Sequence, residues 1–252
     1  MTKLLVIGID GATFKVIKPH LNELPNFKRL MEEGESKIIT VKDDIILSAA
    51  IWCTIFSGKS VKEHNHKKFV VDNELQKRED IKVNFIWDIL KDKNVKVLQV
   101  PFVIPPYNFN AEYMPVGYGA ASDLKELEED TEKLFQRSLE VLSENPDLFI
   151  VVFSALDRLQ HFHWGEILIL DWYKKMDKIL GELISKGEKI IIVSDHGFCS
   201  RGEAKVQTLP DKNDKGELLK GDHHEEAILI TKGIDFEIKD HKDIFSAIIK
   251  SL

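Results

Sequence analysis

The sequence predicts a three-layer α/β/α fold, with helices on both faces of a mostly parallel β-sheet. Short apolar runs rich in Val and Ile alternate with longer segments of helical periodicity, and this alternation is typical of a parallel sheet covered by helices. The chain has 252 residues and a hydrophobic content of 43%, which is enough to form one large buried core. We therefore expect residues 1–252 to form a single α/β domain.

Six apolar runs are the candidate strands of this sheet. They are residues 4–9, 37–41, 95–100, 148–154, 189–194 and 227–231. Two long segments, residues 123–142 and 168–184, carry apolar side chains at helical spacing and are predicted to pack against the sheet as helices. Pro and Gly residues within positions 101–119 indicate a long irregular connection between the third and fourth strands.

The net charge and the two cysteines indicate which binding partners and which cellular compartment to expect. The formal net charge is −7, so a broad attraction to extended nucleic acid or to an anionic membrane is not expected. The first apolar run, residues 4–9, is too short for a signal peptide or a membrane span. Cys53 and Cys199 lie far apart without ligand-like spacing, which argues against a disulfide framework or a thiolate metal site and favours a cytoplasmic protein.

Residues that can bind metals follow several predicted strands at the point where each strand ends. Asp10 follows residues 4–9, Asp157 comes shortly after residues 148–154, and the pair Asp195-His196 follows residues 189–194. In open α/β sheets, ligands bind at the carboxyl edge of the strands. We therefore expect these side chains to converge there.

The spacing of these residues and of nearby histidines suggests two metal sites. Asp157 and His161 are four residues apart, so on a helix both side chains point the same way. Residues 221–224 are expected to form a loop that supplies a further imidazole from His223 or His224. The Gly-x-His pattern favours His223, while His224 is left to solvent or to a supporting role. We expect one divalent cation to be held by Asp10, Asp195 and His196, and a second by Asp157, His161 and His223. Oxygen and nitrogen donors of this kind suit Zn²⁺, with Mn²⁺ as the alternative.

Ser48 is the candidate nucleophile because it precedes a predicted helix. A hydroxyl at the positive end of a helix lies where phosphate oxygens are favoured. Two metal ions about 3.5–4 Å apart can clamp the attacking and leaving oxygens of an in-line displacement at phosphorus. Metal coordination of Ser48 would lower the pKa of its hydroxyl, so that the alkoxide attacks without a histidine base. Gly197, after His196, is expected to let the backbone turn sharply away.

Taken in order, these motifs resemble the alkaline phosphatase superfamily, and most closely its type I phosphodiesterase and nucleotide pyrophosphatase branch, including archaeal members. The motifs are Gly-Ile-Asp-Gly at 8–11, Leu-Pro-Asn-Phe at 24–27, residues 48–52, Ser57-Gly58, His64, residues 157–161, Asp195-His196 and residues 221–223. The resemblance implies an alkaline-phosphatase-like domain and the metal assignment above. It also implies that Ser48 stands at the position of the family's Thr or Ser nucleophile and forms a covalent phospho-enzyme.

The chain departs from the family pattern at three positions. Val61 and Asn65 stand where the family usually has Pro and Gly, and Phe69 stands where nucleotide pyrophosphatases have an Asn that contacts phosphate. The sequence therefore predicts a metal-dependent hydrolase of phosphodiester or pyrophosphate bonds that acts on a small phosphate ester or a nucleotide. Two alternatives remain open, which are a phosphomonoesterase or phosphoglycerate-mutase-like phosphotransferase, and a degenerate member that binds metal or nucleotide without catalysis.

Three further residues near these motifs are given mainly structural roles. His64 is expected to be structural and Trp52 to contribute packing. Arg158 is expected to face water, with contact to a substrate phosphate as the alternative. The oligomeric state is not predicted by the sequence.

Overall fold

The structure is a computed structural model that describes residues 1–72, 74–101, 111–112, 123–205, 208–213 and 215–252. Its strands and helices, in chain order, are β1 (Thr2–Ile9), α1 (Phe14–Ile17), α2 (Pro25–Glu33), β2 (Glu35–Thr40), α3 (Ser48–Ser57), α4 (Val61–His64), β3 (Val70–Val71), β4 (Glu74–Leu75), α5 (Ile86–Ile89), β5 (Val95–Leu98), β6 (Ala111–Glu112), α6 (Leu124–Ser143), β7 (Leu148–Phe153), α7 (Ala155–His163), α8 (Ile167–Ile184), β8 (Gly187–Val193), β9 (Gly197–Ser200), β10 (Gly221–His224), β11 (Glu226–Lys232) and α9 (His241–Ser251).

A seven-stranded sheet with the order β2-β11-β8-β1-β7-β5-β6 forms the centre of the described structure. β1 pairs in parallel with β7 and β8, and β5 pairs in parallel with β7 and β6. β11 is antiparallel to both β8 and β2. The predicted α/β fold with a mostly parallel sheet is confirmed. Because β11 runs in the opposite direction, its first residues lie at the same edge of the sheet as the last residues of β8.

Side chains of β1 alternate between two apolar cores, one on each face of the sheet. Leu5 and Ile7 belong to the core that includes residues of α2, α6 and α8, whereas Leu4 and Val6 belong to the core that includes residues of α3 and α9. This period of two is that of a strand buried on both faces. Full burial of one such side chain stabilises the fold by about 1.5–3 kcal/mol, and two covered faces give the predicted three layers. Across the described ranges, no helix is both long and apolar enough to cross a membrane.

The structure departs from the expected elements near two of the strand ends. The strand expected at residues 95–100 ends at Leu98, because Gln99 takes a left-handed backbone conformation with a φ of 57°. Residues 221–224, expected to be a loop, form β10, which pairs antiparallel with β9. The connection predicted at residues 101–119 lies outside the described residues, except for Pro101 and β6.

The expectation of a sharp backbone turn at Gly197 is wrong. Gly197 is the first residue of β9, and a Cβ atom at this position would lie 2.1 Å from the carbonyl oxygen of Glu226. Glycine is therefore needed here because β9 approaches the start of β11 too closely for any side chain. This close approach brings the ribbon of β9 and β10 against the carboxyl edge of the main sheet.

Helix α2 is anchored to helix α8 by one buried carboxylate. Asp177, which is 2% exposed, accepts hydrogen bonds from the backbone N–H groups of Asn26 (3.0 Å) and Phe27 (2.8 Å) and from the side-chain amide of Asn26 (3.0 Å). The first N–H groups of a helix have no partner within the helix, and the N-cap residue Leu24 offers no side-chain acceptor. Asp177 therefore caps α2 from another helix, which explains the Asn of the Leu-Pro-Asn-Phe motif.

The substitution Asp177→Asn is expected to lower the free energy of unfolding by about 2–3 kcal/mol, because an amide cannot accept all the hydrogen bonds that the carboxylate accepts. The matched control is Asp171→Asn at an exposed position of the same helix, where the change should stay below about 0.5 kcal/mol. Urea denaturation measures both variants. Equal stability of the two would contradict the capping role.

Candidate active site

The seven site residues predicted from the sequence lie together at the carboxyl edge of the sheet. They are Asp10 after β1, Ser48 at the start of α3, Asp157 and His161 on α7, Asp195 and His196 between β8 and β9, and His223 on β10. Most of these side chains are almost fully buried, but the Asp157 side chain is 15% exposed and Ser48 is half-buried. The cluster therefore opens to solvent beside Ser48 and Asp157.

A backbone carbonyl orients each of the three imidazoles. The Nδ1 atoms lie 3.2 Å from Gly221 O for His161, 2.9 Å from Gly197 O for His196, and 2.6 Å from Ile46 O for His223. A carbonyl oxygen can only accept, so each Nδ1 carries the hydrogen and donates it. In the neutral ring, each Nε2 then presents a lone pair to the cluster, as metal-binding histidines do.

Asp157 Oδ1 lies at the centre of these imidazoles. It is 3.1 Å from Nε2 of His223, 3.6 Å from Nε2 of His161 and 3.7 Å from Nε2 of His196. The sequence spacing grouped Asp157 with His161 and His223 only. The side-chain positions bring its Oδ1 to the boundary between the two expected metal sites, within reach of both.

Asp10 and Asp195 approach His196 from the other side. Asp10 Oδ1 is 3.6 Å and Asp195 Oδ2 is 3.3 Å from His196 Nε2. The second oxygen of Asp195 accepts a hydrogen bond of 3.2 Å from the N–H of Gly11. Gly11 has a φ of 68°, and a Cβ atom there would lie 3.1 Å from Asp157 Cα. Glycine therefore allows the turn after β1 to lie directly against α7.

Ser48 is the first residue of α3, and Leu47 is the N-cap. Its hydroxyl makes no capping hydrogen bond and is free to face the cluster, where Oγ lies 3.2 Å from Asp10 Oδ1 and 3.4 Å from His196 Nε2. Burial, together with the neighbouring His223, lowers the pKa of His196 well below its usual value. Asp10 Oδ1 and Nε2 of the neutral His196 are thus the two atoms of the cluster within hydrogen-bond distance of the Ser48 hydroxyl.

The three carboxyl groups are held at a high electrostatic cost. Burial raises the pKa of Asp10 well above its usual value, and the charges of Asp195 and Asp157 raise it further. Burial and the charge of Asp157 also raise the pKa of Asp195 to about 7. Burial would raise the pKa of Asp157 as well, but the positive charge of His161 and His223 in their protonated forms holds the pKa of Asp157 well below its usual value. Asp10 and Asp195 therefore tend to retain protons until a positive charge stabilises them.

The donor set fits divalent cations. Asp157 Oδ1 and Asp195 Oδ2 are buried and accept no hydrogen bond from the described residues, and a buried carboxylate oxygen left without a donor is unfavourable. Two groups have ligand atoms close enough to share an ion, and they are Asp157 with His161 and His223, and Asp10 with Asp157 and His196. Carboxylate oxygens combined with imidazole nitrogens match the preferences of zinc and manganese.

Trp52 was expected to contribute packing in preference to substrate stacking, and it also contacts the site. Its indole Nε1–H donates a hydrogen bond of 3.1 Å to Asp10 Oδ2. The four-residue spacing from Ser48 was the available sequence signal, since it puts both side chains on one face of α3. The spacing alone does not show that this face of α3 lies beside β1 and Asp10.

Gln160 and Tyr173 form a second support that the sequence did not indicate. The buried Gln160 amide donates to the carbonyl of Gly11 at 2.9 Å, and its oxygen accepts from the Tyr173 hydroxyl at 3.2 Å. The Tyr173 oxygen in turn accepts from the N–H of Thr13 at 2.9 Å. These contacts fix both sides of the turn that carries Asp10.

Asp222 anchors the strand that carries His223. Its fully buried carboxylate accepts hydrogen bonds from Arg201 Nη1 at 3.0 Å, from the N–H of His223 at 2.8 Å, and from the N–H and hydroxyl of Thr208. β10 is thereby tied to the segment that follows β9. Arg201 also donates to the carbonyl of Leu209, which extends this contact along the segment.

His224, Arg158 and His64 are the other residues to which the sequence assigned a role. His224 lies outside the cluster, and its Nδ1 accepts from the N–H of Glu226. The expectation that Arg158 faces water is wrong, because its side chain is 6% exposed and lies at the contact between α7 and α6. His64 is buried and its Nε2 lies 3.0 Å from Thr54 Oγ1, in keeping with its expected structural role.

The described fold is similar to solved structures of a nucleotide pyrophosphatase/phosphodiesterase, a phosphonoacetate hydrolase and a sulfatase. Murine ectonucleotide pyrophosphatase/phosphodiesterase 5, in an inactive form with AMP, has a TM-score of 0.68 and 14% identity over 100% of this chain and 95% of that chain. Phosphonoacetate hydrolase from Sinorhizobium meliloti with phosphonoformate has a TM-score of 0.71 and 12% identity over 100% and 96%. A 2-O GAG sulfatase has a TM-score of 0.60 and 12% identity over 94% and 65%. These similarities confirm the expected alkaline-phosphatase-like fold.

No curated protein sequence matches the chain significantly. Residues 4–226 match the family model described as type I phosphodiesterase / nucleotide pyrophosphatase. This match covers most of the chain and every residue of the candidate site. The protein therefore belongs to the type I phosphodiesterase/nucleotide pyrophosphatase family.

Proposed function

We propose that this protein is a metal-dependent hydrolase of phosphodiester or pyrophosphate bonds and that Ser48 is its nucleophile. The proposal rests on one arrangement, in which three imidazoles with Nδ1 tied to backbone carbonyls turn their Nε2 atoms toward three carboxylates beside a single hydroxyl. The half-buried Ser48 gives a substrate access from solvent. Family membership and the murine relative with AMP support a small phosphate ester or nucleotide as the substrate.

Two sets of side chains are proposed to hold divalent cations, with Zn²⁺ favoured and Mn²⁺ as the alternative. Asp10, Asp195 and His196 would hold one, with the Ser48 oxygen beside it, and Asp157, His161 and His223 would hold the other. When bound, such cations neutralise charge on the phosphoryl oxygens and lower the pKa of a hydroxyl beside them. The unpartnered oxygens of Asp157 and Asp195 support this assignment.

Ser48 forms the covalent intermediate of the proposed reaction. Its Oγ forms a bond to phosphorus while the bond between phosphorus and the leaving oxygen breaks, which yields a phosphoserine and the first product. The Ser48 hydrogen passes to Asp10 Oδ1, which lies 3.2 Å from Oγ, because a bound cation would occupy the lone pair of His196 Nε2. A water molecule then attacks phosphorus, the bond to Oγ breaks, and the Ser48 hydroxyl is restored. The N-terminus of α3 favours the negative phosphoryl group throughout.

A cytoplasmic location is part of this proposal. Cys53 and Cys199 are both buried and unpaired, so the two thiols need no oxidising compartment. Any phosphate group would be held by the local cluster rather than by overall charge, because the chain is acidic.

The substitution Ser48→Ala is expected to reduce kcat/KM for bis-p-nitrophenyl phosphate by at least about 1000-fold, because it removes the oxygen that forms the covalent intermediate. Ser57→Ala, on the same helix, is the control and should retain activity within about threefold. Acid quenching of the wild type followed by peptide mass spectrometry should place a phosphate on Ser48. Full activity of Ser48→Ala would exclude the nucleophile role.

The leaving group can be identified with a panel of nitrophenyl monoesters, diesters and nucleotide esters. The protein is treated with EDTA and then supplied with Zn²⁺ or Mn²⁺. We expect the diesters or nucleotide esters to be turned over with at least about tenfold higher kcat/KM than the monoester. A preference for the monoester would favour a phosphomonoesterase, and absence of turnover despite metal binding would favour the degenerate alternative.

The adjacent histidines provide a matched pair of variants. His223→Ala is expected to remove about one equivalent of bound metal and to abolish turnover, because its Nε2 faces Asp157. His224→Ala should bind the same amount of metal as the wild type, because His224 lies outside the cluster. Elemental analysis after gel filtration measures the metal content. The reverse result would assign the ligand to His224.

Metal binding to the EDTA-treated protein is expected to strengthen as the pH rises from about 5.5 to about 7.5. The pKa of Asp195 is raised to about 7 by burial and by Asp157, so below that pH a cation must displace its proton. The apparent affinity should increase by about tenfold per pH unit for each proton displaced. Titration calorimetry in two buffers of different ionisation enthalpy counts these protons, and binding without proton release would contradict the protonated state of the empty cluster.

A further inference from the structure

Helix α3 contacts both oxygens of Asp10 with two side chains one turn apart. The Ser48 hydroxyl donates to Oδ1 at 3.2 Å, and the Trp52 indole N–H donates to Oδ2 at 3.1 Å. Residues four apart lie on one face of a helix, so the spacing between Ser48 and Trp52 matches the two oxygens of one carboxylate. The proposed catalytic steps use Ser48 but give no role to Trp52.

The indole ring is held rigidly in its position. Trp52 is 0% exposed, and it stacks on Phe56 with a centroid distance of 5.9 Å and an interplanar angle of 12°. A Cβ atom on Gly8 of β1 would lie 2.5 Å from Trp52 Cη2, so the strand lacks a side chain where the ring lies against it. The ring cannot move without displacing β1 or Phe56.

The hydrogen bond from Trp52 to Asp10 Oδ2 determines which oxygen of Asp10 faces the cluster. Asp10 Oδ1, the oxygen that Trp52 leaves free, is the one that lies 3.6 Å from His196 Nε2 and faces Ser48. A buried indole N–H without an acceptor is unfavourable. The Trp52 donor therefore opposes rotation of the carboxylate, which would exchange the two oxygens or turn both toward the cluster.

We propose that Trp52 is a positioning residue that makes Asp10 present a single oxygen to the metal cluster and keeps that oxygen aligned with the Ser48 hydroxyl. Its effects on turnover and on metal affinity rest on the proposed function and its metal assignment, whereas its effect on the orientation of Asp10 does not. The indole acts through Asp10 and has no contact with the reacting atoms. Its role resembles that of the backbone N–H of Gly11, which fixes one oxygen of Asp195 in the same way.

The test compares Trp52→Phe with Trp87→Phe. Phenylalanine keeps an aromatic ring but removes the N–H donor. Trp87 is the matched control because it is 1% exposed, lies in the same apolar core and contacts the same Phe56 at 5.9 Å. Both variants lose an indole from one core, so a loss of packing alone should affect them similarly.

Zn²⁺ affinity, measured by competition with a chelator, and steady-state kinetics give the two readouts. We expect Trp52→Phe to weaken the binding of one of two equivalents by about 10–100-fold and to lower kcat by a similar factor, since outer contacts of metal ligands have effects of this size. KM should change by less than about threefold. Trp87→Phe should change affinity and kcat by less than about threefold. Equal losses in both variants, or unchanged affinity and kcat in Trp52→Phe, would overturn the proposal.

A measurement on protein that keeps Trp52 makes the inference testable even if Trp52→Phe does not fold. In a ¹⁵N spectrum, the Trp52 indole N–H should be protected from solvent exchange, should shift when Zn²⁺ is added, and should lose its hydrogen-bonded shift in Asp10→Ala, which has no side-chain acceptor. The Trp87 signal should stay in place. A Trp52 indole signal that is insensitive to both changes would overturn the proposal. If the wild type binds Zn²⁺ and shows these shifts but turns over no phosphate ester, the proposed function fails and the positioning role stands.

Discussion

The mutual repulsion of three closely spaced carboxyl groups is the constraint on which the rest of this site depends. Asp10, Asp157 and Asp195 lie at one edge of the sheet, where burial and mutual repulsion raise the pKa of the first and last of them. Such an arrangement is unfavourable without compensating positive charge. Donors fixed in the scaffold offset part of this cost, with the N–H of Gly11 on Asp195 and the indole of Trp52 on Asp10. The oxygens left over are those that a cation would satisfy.

The topology of the sheet explains how residues so distant in sequence come together. The parallel strands β1, β7 and β8 are neighbours, and each ends beside the cluster. The antiparallel strand β11 begins at the same edge, so the ribbon of β9 and β10 that precedes it can deliver His223. Asp222 then joins the backbone of His223 to Arg201 and Thr208. The position of His223 thus depends on contacts within the ribbon as well as on the main sheet.

Periodicity and strand-end placement were enough to predict the fold class and to bring the expected site residues to one edge. The helical spacing of Asp157 and His161 is a local property, and α7 keeps it. Contacts between elements could not be predicted in this way. The capping of α2 by Asp177, the indole contact of Trp52 and the close approach at Gly197 each depend on which surfaces meet after folding. β10 was expected to be a loop for the same reason, since it is a strand only through its pairing with β9. Both strands have four residues, which is too short for a clear pattern in the sequence.

The departures from the family pattern at positions 61 and 65 keep the backbone that the usual residues favour. Val61 is the first residue of α4, with Ser60 as N-cap and Glu63 bonded to the Ser60 N–H, and the first helical position is where proline is most often found. Asn65 ends the same helix with a φ of 54°, and among residues with a side chain, asparagine adopts this left-handed conformation most readily. Neither substitution therefore argues against catalysis. Of the three departures, only Phe69 removes a hydrogen-bonding group, because it stands where nucleotide pyrophosphatases have an Asn that contacts phosphate. In this protein the cluster around Ser48 would have to bind the phosphoryl group without that amide.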